Sequence, residues 1–234
     1  MNRSALAGVM AALLFCAPAA AQEKAPQPPL FLTAADIDQA VQLPQPPPEG
    51  SPAALAELAE LHQIQDARTP ERLARAKWDG ETENGGMFAP TLGPGFDLAK
   101  LPATARMLAD VRHDEKLAAT RAKVFYLRKR PWIVDPTLQP CSESDKPLSS
   151  YTSGHSTMAY AMAVVLADAF PAKADAIMAR ADDYAESRLV CGVHFRSDVA
   201  GGKILGEEMG RSLLAKPAFK AEEQEAAKEL RSLQ

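Results

Sequence analysis

A bias in residue usage restricts the secondary structure of this chain before any motif is considered: 44 alanines stand against 24 valine, isoleucine and threonine residues together. Alanine enters a helix without losing side-chain freedom, whereas β-branched side chains lose rotamers there and fit a pleated sheet better. An all-helical fold is therefore expected. At 234 residues the chain can bury the core of a single domain without a metal to hold it together. The formal net charge of −4 leaves no surplus of cations along the chain to grip a polyanion, so nucleic acid is not an expected partner.

The first 21 residues have the layout of a cleavable secretory signal: Arg3, an apolar stretch from Ala5 to Cys16, Pro18, and the alanines ending at Ala21, after which cleavage is expected. That stretch falls short of the roughly 20 apolar residues that a membrane-spanning helix needs. A periplasmic or secreted protein follows, with no membrane attachment once the signal is removed. Cleavage also removes Cys16 and leaves Cys141 and Cys191, an even pair in an oxidising compartment. A disulfide between them is expected, two buried free thiols being the alternative.

Residues 22–50 carry two proline clusters around a short capped segment opened by Thr33 and closed by Asp36, and read as an arm on or near the surface. Residues 51–216 read as the helical domain, and 217–234 as a charged surface or frayed helix. Ser51-Pro52 and Thr69-Pro70 each pair a capping side chain with proline at the first helical position, which opens two helices. From Asp79 to Asp97 the glycines and prolines predict a long loop of the kind that often borders a site. A helix follows from Pro102 to about Leu127, with a break near His113, and Pro131 stops it. Ser156 to Phe170 is almost wholly apolar and predicts a buried central helix, with Met158 and Met162 in the core. Two more helices are expected, over about Ala174–Val190 and from a cap at Ser197 or Asp198 to about Leu214.

Three segments place cationic or imidazole groups where this pattern puts helix ends and turns: Lys123 with Arg130-Pro131, Ser153-Gly154-His155, and Arg188 with His194 and Asp198. Lys123, Arg130 and Arg188 supply positive charge, while Ser153 and the amides of Gly154 and His155 stand at a helix start whose dipole faces an anion. Such a set fits a tetrahedral oxyanion, most simply phosphate, because arginine binds two oxygens at once and glycine lets the backbone approach closely. One histidine can attack phosphorus as neutral imidazole while the other protonates the leaving oxygen. Asp198, four residues beyond His194, can hold the distal ring nitrogen.

The spacing Lys-x6-Arg-Pro, Ser-Gly-His and Ser-Arg-x5-His-x3-Asp resembles the three-part signature of the type 2 phosphatidic acid phosphatase and vanadium haloperoxidase superfamily. Within it the exported helical chain and the Cys-Gly-x-His segment at Cys191 to His194 resemble the bacterial class A non-specific acid phosphatases. The resemblance implies a helical bundle of the acid phosphatase and haloperoxidase type. It implies a phosphorylated His194 supported by Asp198, proton donation by His155, and phosphate held by Lys123, Arg130, Ser153, Gly154 and Arg188. Small-molecule phosphomonoesters are the expected substrates, and self-association is an expectation of the resembled class. Where that class usually has proline this chain has Thr152, which is expected to loosen the loop or reshape the mouth of the site.

Two other classes share parts of the pattern. A vanadate-dependent haloperoxidase would hold vanadate in the same cradle, although the resembled peroxidases are generally larger. A non-enzymatic phosphate-binding protein would need the cations but has no use for His194 paired with Asp198. Lipid and isoprenoid phosphate phosphatases elsewhere in the superfamily set the site among membrane spans. A zinc or iron site built from His155, His194 and Asp198 is disfavoured by the surrounding cations, so no metal and no other cofactor is expected. His62 and His113 lie outside the segments and receive no role, and Arg128, Lys129 and Arg196 are expected to face solvent.

Overall fold

The computed structural model describes residues 27–233, so the expected signal at residues 1–21 lies outside the described residues. Among the described residues there is no strand, and no helix is long and apolar enough to cross a membrane. The helices are α1 (Ala34–Asp38), α2 (Pro52–Ala67), α3 (Pro70–Glu81), α4 (Ala89–Leu92), α5 (Pro102–Tyr126), α6 (Pro131–Val134), α7 (Gly154–Ala169), α8 (Ala174–Val190), α9 (Arg196–Leu214) and α10 (Pro217–Arg231). Caps set several starts: the hydroxyls of Ser51, Thr69 and Ser153 each accept an amide from the first turn of α2, α3 and α7.

α7 is the central helix. Met158, Met162, Val165 and Leu166 are buried, and α5, α8 and α9 all pack against it. α9 crosses it most closely, through a row of glycines one helical turn apart. A Cβ on Gly202 would come within 2.8 Å of the Ser153 carbonyl oxygen, and one on Gly210 within 2.8 Å of the Val164 Cβ. At Gly206, between them, a Cβ would run into the Thr157 carbonyl. Glycine here removes the side chain that would hold the two backbones apart.

Four expectations are corrected or sharpened. The proline-rich arm lies at the surface along most of its length, but Leu32, Ala40 and Leu43 are buried in the core and pin it there. It is anchored by the buried Asp114 carboxylate, which accepts the amides of Leu30, Phe31 and Leu32 at 2.7, 2.9 and 2.8 Å. That explains the second correction: α5 runs unbroken past His113, because the polar pair His113 and Asp114 receives the arm rather than interrupting the helix. Third, the glycine-rich stretch after Asp79 is largely ordered. α3 continues to Glu81, and a 3₁₀ turn over Gly85–Phe88 leads into α4, with Met87 and Phe88 fully buried. Fourth, the charged C-terminal segment docks as α10, with Phe219, Ala226 and Leu230 on one buried face.

Cys141 and Cys191 form a disulfide that ties the loop after α6 to the end of α8. Beside it Trp132, Val190 and Val193 make a small apolar cluster of their own.

Gly206→Ala should destabilise the fold by about 1–3 kcal/mol, because the added methyl meets backbone rather than a yielding side chain. A melting temperature lowered by several degrees in scanning calorimetry is the expected outcome, and an unchanged one would refute the close-crossing account.

Candidate active site

The chain brings the three segments together at one cleft of about 650 Å³, whose lining includes Lys123, Arg130, Gly154, His155, Arg188 and His194. Lys123 comes from the last turn of α5 and Arg130 caps the short α6. Gly154 and His155 begin α7, Arg188 ends α8, and His194 stands in the turn before α9. Two of the sequence-predicted residues lie beneath the cleft instead of lining it. Ser153 is fully buried and caps α7, its Oγ accepting from the Ser156 amide at 3.2 Å and the Ser156 hydroxyl at 2.9 Å. Asp198 is fully buried behind His194, at the third position of α9, with Phe195 rather than Ser197 or Asp198 as the capping residue.

The His194 ring is oriented from both sides. Its Nε2 faces Arg130 Nη1 at 2.8 Å, and its Nδ1 stands 3.5 Å from Asp198 Oδ2. A guanidinium has only donors, so the nitrogen facing it presents a lone pair and the proton belongs on Nδ1. Asp198 is itself fixed: Oδ2 accepts the Ser150 hydroxyl at 2.6 Å and the Phe195 amide at 2.8 Å. His155 Nε2 lies 3.0 Å from the Gly80 carbonyl oxygen and 3.3 Å from Glu83 Oε1, with the Tyr184 ring stacked 6.1 Å away.

Positive charge is concentrated here beyond what the protein neutralises. Burial, then the nearby Arg130 charge, pushes the Lys123 ammonium down to about 8. Burial pushes Arg130 down to about 10, with Asp198 opposing and Arg188 adding to the shift. Both imidazoles lie well below the ordinary histidine range. Burial is the first cause in each, followed by Arg188 for His155 and by Arg130 for His194. Among the described residues Arg188 Nε and Nη1 and Arg130 Nε are buried with no hydrogen-bond partner. Buried N–H groups without acceptors are costly, and a cluster of them around one cleft marks where an oxygen-rich anion belongs.

Residues 115–218 match the PAP2 superfamily. The chain is 31% identical to an acid phosphatase of Zymomonas mobilis, over 82% of this chain and 75% of that protein. It is 30% identical to a non-specific acid phosphatase of Providencia stuartii, over 84% of this chain and 82% of that protein. The chain belongs to the PAP2 superfamily. Among solved structures it is similar in fold to a bacterial vanadium-dependent iodoperoxidase, with a TM-score of 0.58 and 21% identity. That likeness covers 82% of this chain and 59% of the peroxidase.

In this PAP2 chain several groups that shape the site escaped the sequence reading. Arg128, expected in solvent, turns inward: Nη1 donates to Asp198 Oδ1 at 2.6 Å and Nη2 to Glu57 Oε2 at 2.8 Å, with the guanidinium 4.3 Å over the Phe195 ring. The helix ends before it at Leu127, whose left-handed conformation re-aims the chain. Lys129 and Arg196 do lie at the surface, paired with Glu49 and with Glu60 and Glu186. Gly80 is needed for space, since a Cβ there would come within 2.8 Å of Arg188 Nη1. Gly80 and Glu83 sit in the glycine-rich stretch flagged as bordering a site, which was the one available signal. Thr152 is fully buried with its hydroxyl 3.3 Å from that of Thr157, so it does not shape the mouth.

Arg128→Ala should destabilise the fold by about 3 kcal/mol, since it strands the Asp198 and Glu57 carboxylates without their shared counter-charge. Denaturant unfolding checks this, and a midpoint equal to wild type would contradict it. The depressed histidines give a second prediction. Unfolding lets them take up protons, so stability rises with pH and is lost as pH falls below the unfolded value of about 6.5. Melting temperature should drop between pH 7.5 and pH 5, and inorganic phosphate should recover more of it at pH 5. A drop of equal size in a His155→Asn/His194→Asn double variant would show that other groups carry it.

Proposed function

We propose that this protein is an exported acid phosphatase that hydrolyses a broad range of phosphomonoesters through a phosphohistidine at His194, without a metal ion. The observation that carries this reading is the set of buried arginine N–H groups, without a partner among the described residues, on two side chains that line the same cleft as two imidazoles. The named acid phosphatase relatives support the reaction class.

In the first step the Nε2 lone pair of His194 forms a bond to phosphorus while the bond from phosphorus to the leaving oxygen breaks, and His155 gives that oxygen its proton. Lys123, Arg130, Arg188 and the first amides of α7 bear the charge on the three phosphoryl oxygens, the task that metal ions perform in many phosphatases. Asp198 and Arg128 hold His194 in the reactive tautomer as its ring becomes positive. In the second step water attacks phosphorus, His155 takes the water proton, and the N–P bond breaks to free phosphate and neutral His194. An alcohol in place of water gives phosphotransfer.

The acidic preference follows from His155. In the empty site burial and Arg188 hold it neutral, and a bound dianion reverses part of that penalty, so the protonated form builds up with substrate bound as pH falls. Breadth follows from a cradle that contacts only the phosphoryl group. A disulfide between Cys141 and Cys191 suits the oxidising compartment that the export reading requires.

The test is an alkaline quench during turnover of p-nitrophenyl phosphate, followed by peptide mass spectrometry. Phosphate bound to His194, its loss together with all turnover in His194→Ala, and a rate unaffected by chelator are the expected results. His155→Ala should lower kcat by about 10²–10⁴ for alkyl esters and less for p-nitrophenyl phosphate. Near-normal turnover in His194→Ala would remove the nucleophile from the mechanism. Halide oxidation with vanadate and peroxide exceeding phosphate release would move the protein to the peroxidase class.

A further inference from the structure

Outside the cradle the cleft is unevenly lined. Its buried lining is cationic, while its exposed lining carries Val124, Leu127 and Leu148 interspersed with Lys116, Thr120, Glu143 and Lys146. These three are 64%, 58% and 44% exposed, among the most exposed large apolar side chains of the described residues. Trp132 also lines the cleft, its ring 5.6 Å from the Arg130 guanidinium, so apolar surface reaches the cationic lining. Exposed apolar side chains set among charged ones on the wall of a concave site suit a ligand with both an anionic and an apolar part.

Leu127 adds an independent observation. It is the one non-glycine residue with positive φ among the described residues, at φ 48° and ψ 39°. Its amide closes α5 on the Lys123 carbonyl at 3.2 Å, the position where glycine or asparagine is usual because a Cβ crowds the neighbouring carbonyl. Leucine gains nothing there from the core, since most of its side chain is in water. Glycine would make the same turn without strain. What glycine would not supply is apolar surface on the wall of the cleft, and strain retained beside a site points to use in that site.

We propose that Val124, Leu127 and Leu148 form a leaving-group subsite, so that the enzyme favours monoesters of aryl and aralkyl alcohols over those of short alkyl alcohols. This rests on the phosphatase reading and adds the substrate class to it. The cradle admits any phosphomonoester, and the apolar side chains on the wall grade them by the surface their organic part can bury.

Ethyl phosphate and 2-phenylethyl phosphate test it, because their alcohols are of similar acidity and differ chiefly in apolar surface. The wild-type chain should show kcat/KM roughly ten-fold higher for the phenylethyl ester. Leu127→Gly and Leu148→Ser should each reduce that preference a few-fold. Leu127→Gly should also melt at or above the wild-type temperature, which separates a lost subsite from a damaged fold. Equal kcat/KM for the two esters in the wild type, or variants that lower both esters in the same proportion, would overturn the subsite. Hydrolysis of neither ester by the folded wild type would overturn the phosphatase reading and the subsite with it.

Discussion

The close crossing of α7 and α9 is the constraint on which the site depends. With glycine at 202, 206 and 210 the backbones meet, and the start of α7 comes to lie beside the first turn of α9. The Ser153 amide then donates to the Asp198 carbonyl at 3.0 Å, joining the start of α7, which carries His155, to the first turn of α9, which follows His194. Ordinary side chains in the crossing would spread the helices by some ångströms. Catalytic geometry does not survive displacements of that size, so the helix contact and the chemistry are one requirement.

Around that joint the protein concentrates cations and supplies too few anions to satisfy them. Asp198 and Glu57 share Arg128, and Glu115 pairs with Arg112 beneath the cleft. Burial raises Glu115 to about 7, so even this carboxylate is only partly available as a counter-charge near neutral pH. Among the described residues Lys123 and Arg188 line the cleft with no carboxylate in ion-pair contact. The arrangement is poor for the stability of the empty protein and good for a dianion, because the donors are already oriented and dry when it arrives. A disulfide three residues before His194 and the interlocked Asp79, Arg180 and Ser187 side chains between α3 and α8 help the fold carry that load.

The parts of this design visible in the sequence are those set by local rules. Ser51, Thr69 and Ser153 open their helices because capping needs only a hydroxyl and a helical stretch after it, and the apolar run after His155 could only be interior. Lys123, Arg130, His155, Arg188 and His194 were legible because their spacing is characteristic, and the cleft unites them. What stayed hidden depends on tertiary contact. Nothing near Asp114 reveals that the arm returns across 82 residues to bond it. Arg128 reads as one more surface charge because it neighbours a motif residue in the sequence, and only the left-handed turn at Leu127 aims it inward. Phe219 and Leu230 lie among enough lysine and glutamate to read as a surface segment, yet their shared face is what docks α10.

The division of labour proposed for the two imidazoles follows from their contacts and not from the histidines themselves. Both are neutral in the empty site, for the same first reason of burial. They differ in what their Nε2 atoms meet. At His194 it meets a guanidinium, which cannot accept a proton, so protonating that nitrogen would set two donors against each other at 2.8 Å. At His155 it meets a carbonyl and a carboxylate, both acceptors, which leave Nδ1 free to gain a proton when an anion offsets the arginines. In the proposed mechanism a dianion entering the cleft therefore acts unequally on the pair: it draws a proton to His155, and by taking the Arg130 guanidinium onto its own oxygens it frees the His194 Nε2 lone pair to meet phosphorus.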